Sequence, residues 1–430
     1  MGKTIIEKIL GAHVSGGAHA SGAEARPDGD VAPGEIVWID LDVRSARDFG
    51  GANVVKNFER EYPGEKVHDR KATYFTFDCN APANTIPYAN NQQVCRDFGR
   101  AQGVRVFDVD AGIGSHVLLE QALCVPGATV VGTDSHMNIL GAVGAFGQGM
   151  GDQDIAYAFR WGRTWFEVPP SMKVVLHGTP GPDATAKDLT LAVLKTLGSR
   201  GGLGRAIEFS GAAVESLDLA GRITLASMAT EMGAIAGLIV PDGRIEKFFL
   251  GRGAKSSAIT VHRPDDDARY VEEVAIDVNG LGPMVARPGS PADVVPVAEA
   301  AGGRISSVFI GSCTNGRFED FKAAADVLEG RRIKEGVMMR LAPATREVFG
   351  RLLEEGVVET FFKAGAIMSH QGCGGCASGQ LGMTGAGEVQ VSTSNRNFKG
   401  KQGDGDTYLA SPATAAASAV AGCLTAACDL

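Results

Sequence analysis

An α/β protein built as three α/β/α units is what this sequence predicts, and three observations predict it. Apolar runs, Gly/Asp/Ser punctuation and helix-like segments follow one another repeatedly, as from GVRVFDVDAGIG through PGATVVGTDSH. That alternation builds layered sheets with the chemistry in loops at strand ends. At 430 residues the chain exceeds what one hydrophobic core serves. Its 58 glycines, about twice the usual share near 7%, imply many tight turns and close backbone approaches.

Taken in order, residues 11–29 are glycine- and alanine-rich and read as a mobile loop. Its His13 and His19 lack cysteine company and read as solvated. GEIVWIDLDV (34–43) reads as one buried strand. A Pro-Pro and a fresh strand signal in residues 166–185 mark one boundary, and the Gly/Pro-rich stretch 279–294 marks a second. The units then run over 1–168, 169–285 and 286–430. RISSVFIGSC opens the last of them, and SPATAAASAVAGCLTAA reads as a closely packed helix with Ser411-Pro412 at its start.

Hydrophobic residues at 44% and charged residues at 21% suit a soluble enzyme and exclude a disordered chain. No signal-peptide layout is present, and no apolar run approaches the roughly twenty residues a bilayer needs. The expectation is a cytoplasmic protein. A net charge of −9 gives no general field for nucleic acid, so local Arg or Lys must hold any anionic ligand. Eight cysteines are too sparse for a disulfide scaffold. Cys95, Cys423 and Cys428 read as small apolar fillers or chance thiols.

Three other cysteines call for chemistry. Cys313 sits in GSCTNGR, between the strand-like Ser307–Ile310 and a turn-like Thr-Asn-Gly, and Cys373 and Cys376 sit in HQGCGGCASG. A Cys-x-x-Cys alone fits a redox pair, half a zinc site or part of an iron–sulfur site. Glycines at 372, 374, 375 and 379 let backbone N–H groups approach sulfur, as iron–sulfur clusters favour. A structural zinc normally needs a fourth ligand, and a redox pair does not need Cys313. Three thiolates on a [4Fe–4S] cube leave one iron open as a Lewis acid.

IGSCTNGR, GCGGC, STSNRNFKGKQG (392–403), GTDSHM (132–137), IEFSG (207–211) and SPATAAASAVAG (411–422) together resemble the aconitase family. The likeness is closest to the large subunits of the 3-isopropylmalate dehydratase and homoaconitase branch, and it covers essentially the whole chain. It implies an aconitase-like fold of three α/β/α units around a [4Fe–4S] cluster bound by Cys313, Cys373 and Cys376. It also implies a hydro-lyase that moves water across a double bond of a small hydroxy acid. Such chemistry needs a base for a weakly acidic C–H, an acid for the departing hydroxyl and cations for carboxylates. By resemblance Asp134, His136 and Glu208 belong to the acid–base network and Ser135 contacts substrate. Asn395 lies beside the cluster and Arg396 binds a carboxylate, a task its planar fork suits.

Three positions depart from the family pattern. Its Asp-His pair is Asp78-Cys79 here, and a thiol of ordinary pKa near 8.5 is a poorer proton donor than imidazole. Its G-I-x-H is Gly112-Ile113-Gly114-Ser115, with His116 one place later; in an extended segment that shift turns the imidazole away. Its second arginine is Lys401, which keeps the charge and loses the fork. Cys79 as a fourth thiol on the open iron is the alternative, giving an electron-transfer or sensing site. Because the chain stops at Leu430, the resemblance further implies a separate small subunit carrying the swivel domain. The substrate expected is 3-isopropylmalate, with homoaconitate, citramalate or 2,3-dimethylmalate as alternatives. An RNA-binding iron or redox sensor is a further one, which the acidic balance disfavours.

Overall fold

The computed structural model describes residues 2–15, 29–376 and 381–430. Its first sheet has five parallel strands, in spatial order Arg105–Phe107, Thr73–Thr76, Val43–Arg47, Thr129–Gly132 and Phe146–Gly149. Val43–Arg47, Thr73–Thr76 and Thr129–Gly132 are buried almost throughout, as strands covered on both faces by helices must be. The chain steps outward from Val43–Arg47 in one direction and later returns on its other side. The crevice between Val43–Arg47 and Thr129–Gly132 is therefore a topological switch point, where ligands of such sheets bind.

A second parallel sheet runs in the order Ala236–Ile239, Ala206–Ser210, Ser171–His177 and Glu272–Asp277. The third has seven strands: Val294–Pro296, Met284–Ala286, Asp406–Ala410, Val389–Ser392, Ser307–Gly311, Met338–Ala342 and Ile367–Met368. Its last five are mutually parallel and switch direction between Ser307–Gly311 and Val389–Ser392. Both switch points carry candidate residues.

The C-terminal helix is Pro412–Ala421, with the Ser411 hydroxyl accepting from the Thr414 N–H as its cap. Its alanines are buried, which permits close packing on the helix Phe318–Leu328. Apolar side chains also join the sheets to one another. Ile113, Val117 and Leu140 of the first unit share a core with Cys313 and Ala344 of the third. Met172, Val174 and Leu176 share another with Met284, Ala286 and Leu409. No described helix is long and apolar enough to cross a membrane.

Three details differ from the sequence reading. Residues 34–43 form two strands, Ile36–Asp40 and Val43–Arg47, that lie in different sheets. The break falls at Asp42, whose carboxylate accepts from the Thr129 N–H at 2.8 Å and meets His13 Nε2 at 2.9 Å. His13 is thus bonded rather than solvated, and Gly11 and Ala12 close the helix Ile5–Ala12; His19 lies outside the described residues. Met284–Ala286 pairs with Asp406–Ala410, so the third sheet begins before the expected boundary at 286.

Candidate active site

The first switch point gathers four carboxylate-bearing or cationic residues at and beyond strand ends. Arg47 closes its strand and bridges two buried carboxylates, with Nε 2.6 Å from Asp78 Oδ1 and Nη1 3.0 Å from Asp134 Oδ1. Asp78 Oδ2 accepts from the Gly114 N–H at 2.7 Å. Asp48 fixes the turn behind it, accepting from the N–H groups of Asp78, Cys79 and Asn80 and from Gln92 Nε2 at 2.9–3.2 Å. Asp134 Oδ1 also accepts from the His136 N–H at 3.0 Å. His136 then reaches Glu231 Oε1 with Nε2 at 3.0 Å.

The third sheet supplies the cysteines, Cys313 at its switch point and Cys373 and Cys376 in the loop after its edge strand Ile367–Met368. Ser312 adopts φ 71°, uncommon for a side chain with a Cβ, and this bend follows the strand directly before Cys313. Cys313 Sγ donates to Asn395 Oδ1 at 3.5 Å, and Asn395 Nδ2 donates to Ser227 Oγ at 2.9 Å. Arg396 donates from Nε to Glu231 Oε1 at 2.7 Å, the same oxygen that meets His136. The loop is held from behind by the buried Lys187, whose Nζ donates to the carbonyls of Thr393 and Ser394 at 2.9 Å each. Gly374 has φ +64°, and a Cβ there would lie 2.5 Å from the Phe309 ring.

Backbone contacts weld the two sets together. The Cys373 N–H donates to the Asp78 carbonyl at 2.9 Å, and His116 Nε2 donates to the Cys313 carbonyl at 2.9 Å. A cleft of about 250 Å³ opens beside Asp78, Cys79, Cys373 and Gly374.

Burial sets the protonation of most groups here. It raises Asp78 to about 6 against the pull of Arg47, and it lowers His116 to about 3, so that imidazole is neutral. Burial also raises Asp134 and Glu231, but Arg47 overcomes it at Asp134, and His136 with Arg396 overcome it at Glu231. Both end below the usual range and stay ionised. Burial pushes the Cys313 thiol well up, whereas a hydrogen bond with Cys373, aided by Lys401 and Arg47, draws Cys376 down.

The residues fit an iron–sulfur cluster. Cys313, Cys373 and Cys376 are buried and unpaired by any disulfide. Among the described residues only Asp48, Asp78 and Cys79 close on one point as the ligands of a single ion do. Around the three cysteines Arg47 Nη2, Asp134 Oδ2, Glu231 Oε2, His116 Nδ1 and Ser115 Oγ are buried with no protein partner. So many unmet polar atoms in one place point to a bound group that meets them.

Of the residues expected from sequence, Asp78, His116, Asp134, His136, Asn395, Arg396 and the three cysteines come together here. Ser135 is exposed at the edge, its hydroxyl 3.4 Å from His136 Nδ1. Lys401 is half-buried and its side chain has no hydrogen bond or ion pair among the described residues, though its charge acts on Cys376.

Three expectations need correction. Glu208 lies elsewhere, on Ala206–Ser210, where it accepts from the Ile5 N–H at 2.6 Å and from Tyr270 Oη at 2.7 Å. The carboxylate present in the site is Glu231. Burial pushes the Cys79 thiol well above its ordinary value, so it is a weaker acid than its sequence position suggested. His116 opens no extended segment: Gly114–Glu120 is a helix, and a one-residue shift there turns a side chain by about 100° rather than to the opposite face. The sequence reading missed Arg47, Lys187 and Glu231. For Glu231 a signal existed, since Arg222 and Glu231 are the only charged residues between Leu219 and Val240.

Comparison with known proteins identifies the family and the fold. Residues 32–422 match the family model described as aconitase family (aconitate hydratase). The chain is 42% identical to the homoaconitase large subunit of Thermus thermophilus, covering 99% of this chain and 97% of that one. It is 41% identical to 3-isopropylmalate dehydratase large subunit 1 of Methanopyrus kandleri, covering 99% of each. Among solved structures, aconitase X of Thermococcus kodakaraensis in its holo-form superposes with a TM-score of 0.51 at 16% identity, over 84% of each chain, and shows the shared fold. With the family model spanning nearly its whole length and relatives more than 40% identical across 99% of it, the chain belongs to the aconitase family.

Proposed function

We propose that this chain is the cluster-bearing large subunit of a hydro-lyase that reversibly dehydrates a small hydroxy di- or tricarboxylate, of the 3-isopropylmalate type. The observation that carries the reading is the convergence of three buried cysteines with Arg47, Arg396 and Lys401, set beside a family of hydratases. Cys313, Cys373 and Cys376 hold a [4Fe–4S] cluster. When bound, it supplies an iron without a thiolate, able to polarise substrate oxygen.

The chain's own residues supply the rest. Arg396 is oriented by Glu231 through Nε, and its terminal nitrogens are bonded to no described residue, so they can meet a carboxylate. Glu231 holds His136 with its ring aligned, Nε2 lying 3.0 Å from Oε1, which positions the imidazole to pass a proton to a departing hydroxyl. Asp78, held at about 6, can exchange a proton near neutral pH, whereas Asp134 stays charged and keeps Arg47 in place. Glu208 and Cys79 take no part in proton transfer. Lys401 gives charge to the substrate without a fork, and a small swivel-domain subunit closes over the loops.

Relatives named for homoaconitase and for 3-isopropylmalate dehydratase match at 42% and 41% identity, so both acids enter the test. Anaerobic reconstitution with iron and sulfide, with and without the small subunit, is followed by Mössbauer spectroscopy and by absorbance of the unsaturated acid. The expected result is a cluster whose one distinct iron site changes when substrate is added, with turnover only in the complex. A cluster unperturbed by either acid, or zinc at the sulfurs, overturns the reading.

A further inference from the structure

Lys401 brings a charge to the site without the planar fork of an arginine, and the first sheet ends one of its strands in a guanidinium, that of Arg47. Arg47 spends Nε on Asp78 Oδ1 at 2.6 Å and Nη1 on Asp134 Oδ1 at 3.0 Å, and its N–H donates to Thr133 Oγ1 at 2.9 Å. Nη2 has no partner, although it is shut away from bulk solvent. Among the described residues it is the sole terminal arginine nitrogen in that condition; the other unpartnered buried arginine atoms are all Nε. Neutralising two carboxylates does not call for that third nitrogen, so burying it without a partner brings the fold nothing. The head group also lies close to the thiols: its charge acts on Cys373 and Cys376, and Lys401 and Arg396 act on Cys376 from the opposite loops.

We propose that Arg47 is a substrate-binding residue, whose Nη2 receives a carboxylate of the hydroxy acid and supplies from the first switch point the fork that Lys401 lacks. This assignment rests on the hydro-lyase reading for the class of ligand. Asp78 and Asp134 hold the guanidinium in one plane before substrate arrives. A cation so anchored does not have to be ordered on binding. Because two anchored arginines approach from opposite loops, they select acids whose carboxylates are separated along the carbon chain.

The test uses the reconstituted holoenzyme with its small subunit and two hydroxyl-free probes that cannot be dehydrated, propane-1,2,3-tricarboxylate and isopropylsuccinate. Arg47→Lys keeps a cation against Asp78 and Asp134 but removes Nη2. Calorimetry should show the Kd of the tighter probe rising about 10- to 100-fold in Arg47→Lys. With substrate, KM should rise more than kcat falls. Adding Lys401→Arg to that variant should recover part of the affinity. A crystal structure of the unsubstituted holoprotein with the probe should place a carboxylate oxygen within hydrogen-bond reach of Nη2, whether or not the variant folds. An unchanged Kd, a carboxylate seated elsewhere, or no binding of either probe overturns the assignment. Binding without turnover of any hydroxy acid overturns the hydro-lyase reading and leaves Arg47 in place.

Discussion

Glu231 and Glu208 show how little a carboxylate's sequence context says about its work. Glu208 sits in a family-like motif, yet both of its oxygens serve local bonds to Ile5 and Tyr270. Glu231 occupies an unpromising single turn, Met228–Met232, and holds both His136 and Arg396 on one oxygen. Glu231→Gln should therefore lower kcat by about 10²- to 10⁴-fold with the thermal midpoint little changed, measured on the reconstituted complex. Glu208→Ala should do the reverse, costing about 1–3 kcal/mol in urea unfolding by stranding the buried Ile5 N–H while kcat stays near wild type. Cys313→Ser should remove visible absorption and bound iron, counted per chain. The cysteines were legible because their glycine-rich setting is local. Arg47 was not, and for Glu231 the sequence narrowed the choice to two charged residues, Arg222 and Glu231, between which only folding decides.

Among the elements, strands were read well wherever they were fully buried and punctuated, as at Ser307–Gly311 and Thr129–Gly132. The misreadings came where one side chain overrode the pattern. Asp42 breaks an apolar run by bonding outside it, and the Asp78–Gly114 contact helps start a helix where extension was expected. The His13–Asp42 pair ties the end of the helix Ile5–Ala12 to the first sheet, and it makes stability depend on pH. Burial lowers His13, but Asp42 and the Ile9 carbonyl more than compensate, leaving it raised; Asp42 is lowered by His13 and Thr129 despite its own burial. A raised histidine stabilises fully below its unfolded value near 6.5, and that contribution fades as pH climbs through its folded value. A depressed aspartate stabilises above its unfolded value near 3.9, and that contribution fades as pH falls. The pair thus helps most at about pH 4 to 6.5. Being partly exposed, it should be worth about 0.5–1 kcal/mol. His13→Gln should flatten the loss of stability between about pH 6 and 8 in urea titrations. At Gly374 the glycine is required by both φ +64° and the Phe309 ring, so Gly374→Ala should give folded protein with less iron per chain.

On the scale of the molecule, three sheets share their cores, with Cys313 packed among side chains of the first unit and Leu409 among those of the second. Scanning calorimetry of the iron-free chain should accordingly show one cooperative transition rather than three. The alternation of strands and helices announced the architecture, but no periodicity says which strand ends will face one another. That facing arrangement has a consequence for how the protein is made. His116 touches the Cys313 carbonyl across 197 positions of chain. At ribosomal speeds of about 5–20 residues per second, roughly 10–40 s separate their emergence. Cys373 and Cys376 come later still, so the three thiols are together only once most of the polypeptide has been made.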